Sequence, residues 1–148
     1  MSDVTTKNEK ETKAVAELMA RELLGSSLAG RHATVIVLEG QLGAGKTIFA
    51  KGFAKGLGVK EKIHSPTFVL VKQHSIKSKK FVRFYHIDCY RLERAAEART
   101  IGMHEILADP RNIMLIEWAS KIKKLLPKKR ITITITSLHG TARKISFN

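Results

Sequence analysis

The order of apolar and polar positions along the chain predicts alternating helices and strands. Over residues 9–24, Val15, Leu18, Met19 and Leu23 recur at helical spacing, and Gly25-Ser-Ser closes the pattern. Thr34–Leu38 is a continuous, β-branched apolar run, which predicts a strand buried on both faces and therefore a parallel, central one. A helix is predicted from Lys46, with Phe49, Phe53 and Leu57 on one face, stopped by Gly56 and Gly58. Thr67–Val71 and Phe81–Ile87 read as two strands around a polar, lysine-rich stretch, a pattern that allows an antiparallel hairpin. Residues 93–107 read as helical with a break at Gly102, Ile113–Ile116 as a second central strand, and a short helix is expected before Pro127. Ile131, Ile133 and Ile135 alternate with threonines, as on a half-exposed strand, and Ala142–Phe147 is placed to pair with it through Gly140. The predicted architecture is a three-layer α/β fold: a mostly parallel central sheet with helices on its faces and an antiparallel hairpin insertion. Residues 1–148 are expected to form one domain, with residues 1–8 disordered.

Composition adds limits. A chain of 148 residues with 43% apolar content can build one core, and no window is long and apolar enough to span a bilayer. The opening residues lack the layout of a secretory signal, and the one cysteine, Cys89, excludes an internal disulfide and a cysteine-rich zinc site, so a reducing cytoplasm is expected. Net charge is the outlier: 27 Lys and Arg against 13 Asp and Glu leave +14. Such an excess favours polyanionic partners such as RNA, or an acidic protein. The runs Lys77–Lys80, Lys121–Lys124 and Lys128–Arg130 are not interleaved with aromatics, so no base-stacking platform is legible.

The candidate chemistry centres on Gly40-Gln-Leu-Gly-Ala-Gly-Lys46-Thr47, a Gly-rich loop set between a predicted strand and helix. Its glycines tolerate backbone angles that let successive N–H groups face one phosphate chain. The helix N-terminus adds its positive dipole end. Lys46 would neutralise β- and γ-phosphate charge, and the Thr47 hydroxyl would bind Mg²⁺. Two acids end apolar strands, Asp88 after Ile87 and Glu117 after Ile116, where ligands of parallel sheets gather. Each alone could be a strand-end acid paired with a lysine; beside a P-loop, magnesium coordination is favoured for at least one. Ser65-Pro66-Thr67 occupies the place of a γ-phosphate-sensing loop, although a turn shaped by Pro66 explains it equally. Trp118 could shield a nucleotide or sit in the core. The six histidines show no zinc-protease spacing, His86 beside Asp88 is weak metal-site evidence, and Cys89 reads as a buried small apolar residue.

Four blocks stand in order: Leu38–Thr47, Ser65-Pro-Thr-Phe68, His86-Ile-Asp-Cys-Tyr-Arg-Leu92 and Ile116-Glu-Trp-Ala119. With them the chain resembles the TsaE (YjeE) family, small bacterial ATPases that support threonylcarbamoyl-adenosine formation in tRNA. The resemblance spans nearly the whole chain. It implies a weak ATPase that binds a complex of TsaB with the transferase TsaD, hydrolysis resetting that complex between turnovers. By position it implies phosphate binding by the loop from Leu42 through Gly43, Ala44, Gly45 and Lys46 to Thr47, with Mg²⁺ on Thr47 and Glu117. It also implies Lys46, Asp88 and Glu117 as the catalytic set, Ser65 and Thr67 as the switch, Thr12 near the adenine and Arg143 near the nucleotide. His64 and Cys89 depart from the family's usual residues, and the basic charge exceeds its usual value, which leaves direct tRNA contact open. Two other readings remain: a small-molecule kinase with Arg91, Arg94 and Arg99 as a lid, and a nucleotide-dependent RNA-binding or scaffold module. No Asn-Lys-x-Asp guanine-reading block is present, which leans towards ATP.

Overall fold

The two apolar runs at 34–38 and 113–116 lie side by side, paired in parallel with Val35 against Met114 and Val37 against Ile116. They form the middle of a sheet that carries seven strands among the described residues, 2–26, 30–60 and 71–148 of a computed structural model. In chain order the elements are β1 (Ser2–Thr6), α1 (Glu9–Gly25), β2 (Thr34–Glu39), α2 (Lys46–Gly56), β3 (Val71–Ser75), β4 (Arg83–Asp88), a 3-10 helix (Ala95–Ile101), α3 (Met103–Ala108), β5 (Asn112–Glu117), a second 3-10 helix (Ala119–Leu125), β6 (Ile131–Ser137) and β7 (Arg143–Phe147). The strand order is β1-β7-β6-β2-β5-β4-β3. The inner four, β6, β2, β5 and β4, run parallel, and antiparallel strands flank them on both sides.

Because successive strand residues face opposite sides, β2 feeds two cores at once. Ile36 and Leu38 pack with Phe49, Phe53 and Ala16 under α1 and α2. Val35 and Val37 pack with Met114, Met103 and Ile122 on the other face. Phe49 and Phe53 are fully buried, each contributing on the order of 2–3 kcal/mol of burial free energy. This is the three-layer α/β arrangement expected from the apolar runs, and the hairpin β3–β4 is its antiparallel insertion.

Four expectations change. Residues 1–8 are ordered over Ser2–Thr6, where β1 pairs with β7, and the Asn8 side chain caps α1 by accepting the Glu11 N–H at 2.9 Å. The pairing is made by backbone groups with a strand far off in sequence, so no local apolar pattern announces it. The strand expected at 67–71 falls mostly outside the described residues; β3 runs instead through Val71–Ser75, which reads as loop because Lys72, Gln73 and Ser75 are exposed on an edge strand. Gly56 does not stop α2 but lies within it, where a Cβ would meet the Glu17 carbonyl oxygen of α1 at 2.3 Å; the left-handed turn comes at Gly58. Both connections after β4 and β5 contain 3-10 helix where ordinary helix was expected, and the first breaks at Gly102 as predicted. Among the described residues no helix is long and apolar enough to cross a membrane.

Candidate functional site

The site forms where β2, β4 and β5 end on the same side of the sheet. After Glu39 the chain turns through the glycine loop and enters α2 at Lys46. Gly43 (φ 79°) and Gly45 (φ 103°) adopt angles that a side chain would resist, and Gly45 is the residue that caps α2. The loop is held from outside by Arg143: Nε donates to the Ala44 carbonyl at 2.7 Å and Nη2 to that of Gly43 at 3.3 Å. Tying these carbonyls to a guanidinium fixes the peptide planes of the loop before any ligand arrives.

Lys46 is buried at 7% exposure; its Nζ donates to the Gly40 carbonyl at 2.7 Å and sits 3.6 Å from the Trp118 ring centroid. Burial pulls its ammonium below the usual lysine range, against the opposing pull of Glu117 and Asp88. Trp118 has φ 55° and ψ 47°, a left-handed conformation unusual for an aromatic and unique among the described non-glycine residues. That bend directly after β5 lays the ring across Lys46, with Tyr90 edge-on to it at 5.0 Å.

Asp88 and Glu117 end adjacent parallel strands in register. Asp88 accepts the Tyr90 N–H at 2.9 Å, and burial raises its carboxyl above the usual range, with Glu117 adding to the effect. One Glu117 oxygen, Oε2, lies 2.6 Å from His86 Nε2, in a pair almost without solvent exposure. A carboxylate only accepts, so Nε2 carries the hydrogen. That leaves Nδ1 as the one buried side-chain polar atom without a partner among the described residues. Around these groups lies a cleft of about 350 Å³ lined by Gly43, Gly45, Lys46, Thr47, Asp88, Glu117, Trp118 and Arg143, with Leu42, Tyr90, Arg91 and Glu9 also on its walls.

The expected residues divide accordingly. Leu42, Gly43, Gly45, Lys46, Thr47, Asp88, Glu117 and Arg143 share the cleft, Leu42 at its rim with 75% of its surface exposed. Ala44 lies under the loop at 3% exposure. Thr12 is buried with its hydroxyl 2.7 Å from that of Thr6 and does not line the cleft. Ser65 and Thr67 lie outside the described residues. Of the three arginines weighed as a lid, Arg91 lines the cleft, while Arg99 lines a separate depression with Met103 and His104. Cys89 is buried, and burial pushes its thiol up to about 12, as suits an inert core residue. Sequence reasoning missed the tie between His86 and Glu117, for which the only local signal was the shared strand face of His86 and Asp88.

The donor set suits a hard cation. Thr47 offers a hydroxyl and Asp88 and Glu117 offer carboxylates, while no group of three or more His, Cys, Asp or Glu among the described residues could hold a metal by itself. That is the pattern of Mg²⁺, which takes one or two carboxylates and completes its shell with phosphates and water.

Comparison with known proteins agrees with this architecture. The family profile described as threonylcarbamoyl adenosine biosynthesis protein TsaE matches residues 6–145. The tRNA threonylcarbamoyladenosine biosynthesis protein TsaE of Bacillus subtilis is 38% identical over 142 residues, covering 96% of this chain and 82% of the relative. Its counterpart from Treponema pallidum is 37% identical over 113 residues, covering 76% and 80%. The crystal structure of YdiB from Bacillus subtilis superposes with a TM-score of 0.75 at 34% identity, over 99% of this chain and 83% of that one.

Proposed function

Because the chain belongs to the TsaE family of tRNA threonylcarbamoyladenosine biosynthesis proteins, we propose that its cleft binds ATP with Mg²⁺ and hydrolyses it in support of the TsaB–TsaD transferase complex. The observation that carries the reading is the convergence of Lys46, Thr47, Asp88 and Glu117 on one cleft at the carboxyl ends of parallel strands. The glycine loop and the start of α2 would hold the phosphate chain through backbone N–H groups. Lys46 would turn from the Gly40 carbonyl to the phosphates, where its charge offsets the negative charge that develops on the γ-phosphoryl group. Thr47, Glu117 and Asp88 would be the oxygen donors for Mg²⁺. The bound ion would supply charge neutralisation and alignment of the phosphate oxygens. Trp118 and Tyr90 would screen the phosphates from water on the open side.

The test is ATP turnover with magnesium, alone and with purified TsaB and TsaD, for wild type, Lys46→Ala and Glu117→Ala. Turnover that both substitutions reduce by about a hundredfold or more is expected. Tight nucleotide binding without turnover under either condition would overturn the hydrolase reading.

A further inference from the structure

The inner strands differ in charge at their two ends. At the carboxyl ends β2, β4 and β5 finish in Glu39, Asp88 and Glu117. At the opposite ends, the four residues ahead of each inner strand carry cations: Arg31 before β2, Lys79 and Lys80 before β4, Arg111 before β5, and Lys128, Lys129 and Arg130 before β6. The one acid in those stretches, Asp109, is already paired with Arg111 at 2.9 Å. Arg31, Lys79, Lys128 and Lys129 are exposed and have no acidic partner among the described residues. Since the four strands are neighbours, their amino ends span roughly 15 Å at ~4.8 Å per strand, with the unpaired cations ahead of β6, β2 and β4. The Lys80 ammonium, donating to the Ser26 carbonyl at 2.9 Å, draws the β3–β4 connection onto the same pole.

We infer that this pole binds the phosphate backbone of RNA, on the side of the sheet opposite the nucleotide cleft. Three features favour RNA over an acidic protein. This end is rich in lysine, which protein–protein interfaces avoid. Val82 is the one large apolar residue exposed in those four stretches, and the apolar hollow of about 560 Å³ between Leu23, Val35 and Ile131 is rimmed by Arg31, Lys129 and Arg130, so an incoming chain meets cations before apolar anchors. Spacing across four strand ends suits several phosphates of one backbone, each contact gaining from counterion release. Phe81, the aromatic next to Lys80, is 1% exposed and unable to stack on a base, so contact is to phosphates and independent of base sequence. The carboxylates stand at the far end of the strands, which keeps them from repelling the RNA and leaves both sites able to fill together. The stretches ahead of the four strands hold 7 cations and 1 acid, so they carry +6 of the net charge of +14.

The experiment is fluorescence anisotropy of a labelled tRNA transcript with the full chain, without nucleotide, between 50 and 200 mM salt, in which about three phosphate contacts would show as a salt slope near two or more. The variant Arg31→Ala/Lys79→Ala/Lys129→Ala is compared with Lys10→Ala/Lys13→Ala/Lys51→Ala, which removes equal charge from exposed positions on α1 and α2. Thermal melts establish that both fold. The pole variant is expected to bind roughly tenfold or more weakly at 0.1 M salt, with a slope shallower by about two, while the control stays near wild type. Equal losses in both variants, or none in either, would overturn the assignment. So would loss of binding in Lys46→Ala, which would place the RNA in the cleft, or tighter binding of polyglutamate than of tRNA, which would give the pole to an acidic protein.

Discussion

His86 and Glu117, on adjacent strands and 31 residues apart in sequence, share a hydrogen bond of 2.6 Å with neither side chain more than 4% exposed. The bond commits one carboxylate oxygen of Glu117 and leaves the other for the cleft. Replacing His86 by Leu would strand a buried acceptor, at a cost of about 1–3 kcal/mol in stability and a loss of turnover. His86→Gln can place an amide N–H near the same point and should recover much of both. Melting temperature and ATP turnover measured on the two variants check this; equal behaviour of Leu and Gln would show that the donor does not matter.

The Lys46 ammonium rests on the Trp118 ring, and Trp118 is the chain's single tryptophan. If Lys46 moves to the phosphates on binding, the ring loses its cation, and emission should change on titration with ATP and magnesium. In Lys46→Ala the starting emission should already differ from wild type and the titration should be flat. A full titration signal in that variant would mean that the lysine does not report on the ligand.

Burial raises the Asp88 carboxyl above its ordinary range. A raised folded-state value means stability that is fully present below the ordinary carboxylate range and lost as pH rises through the raised value. Asp88→Asn removes that loss while keeping an acceptor for the Tyr90 N–H. Its melting temperature should therefore exceed wild type near neutral pH, by roughly 2–4 °C for each kcal/mol recovered, and the gap should close in acid. Turnover should fall at the same time. Melting curves from pH 3 to 8 decide the point.

Gly52 and Gly56 let α2 approach α1 closely: an added Cβ would lie 2.2 Å from the Lys13 carbonyl oxygen and 2.3 Å from that of Glu17. Alanine at either position must push the helices apart, at a cost of about 1–3 kcal/mol despite its better helix propensity. Gly43→Ala, where nothing stands within 4 Å, pays for its φ of 79° but displaces no neighbour, so it should melt higher than either helix variant. Thermal denaturation of the three orders them.

Much of the fold was legible because its signals are local. The continuous runs at 34–38 and 113–116 announce strands covered on both faces, and the glycines between strand and helix announce a tight loop with left-handed backbone at Gly43 and Gly45. Asp88 and Glu117 were legible as acids at the ends of apolar runs. Thr12 was legible through resemblance alone, and the structure buries it against Thr6 instead of exposing it to the cleft. Edge strands β1 and β3 escaped notice because one or both faces are wet, so they carry polar residues that read as loop.

By itself the sequence determined the chemical parts: the loop that can hold phosphates, the lysine and hydroxyl that follow it, two strand-end carboxylates and a large excess of cations. Tertiary structure alone decided how they meet. The strand order sets Asp88 in register with Glu117, gives Glu117 its buried histidine, and brings Arg143 to loop carbonyls about 100 residues away. It also gathers scattered basic residues onto one pole, with the carboxylates at the other. The physical reason is that backbone conformation and apolar periodicity act over a few residues, whereas hydrogen bonds and charges act through space, between groups that only the sheet brings together.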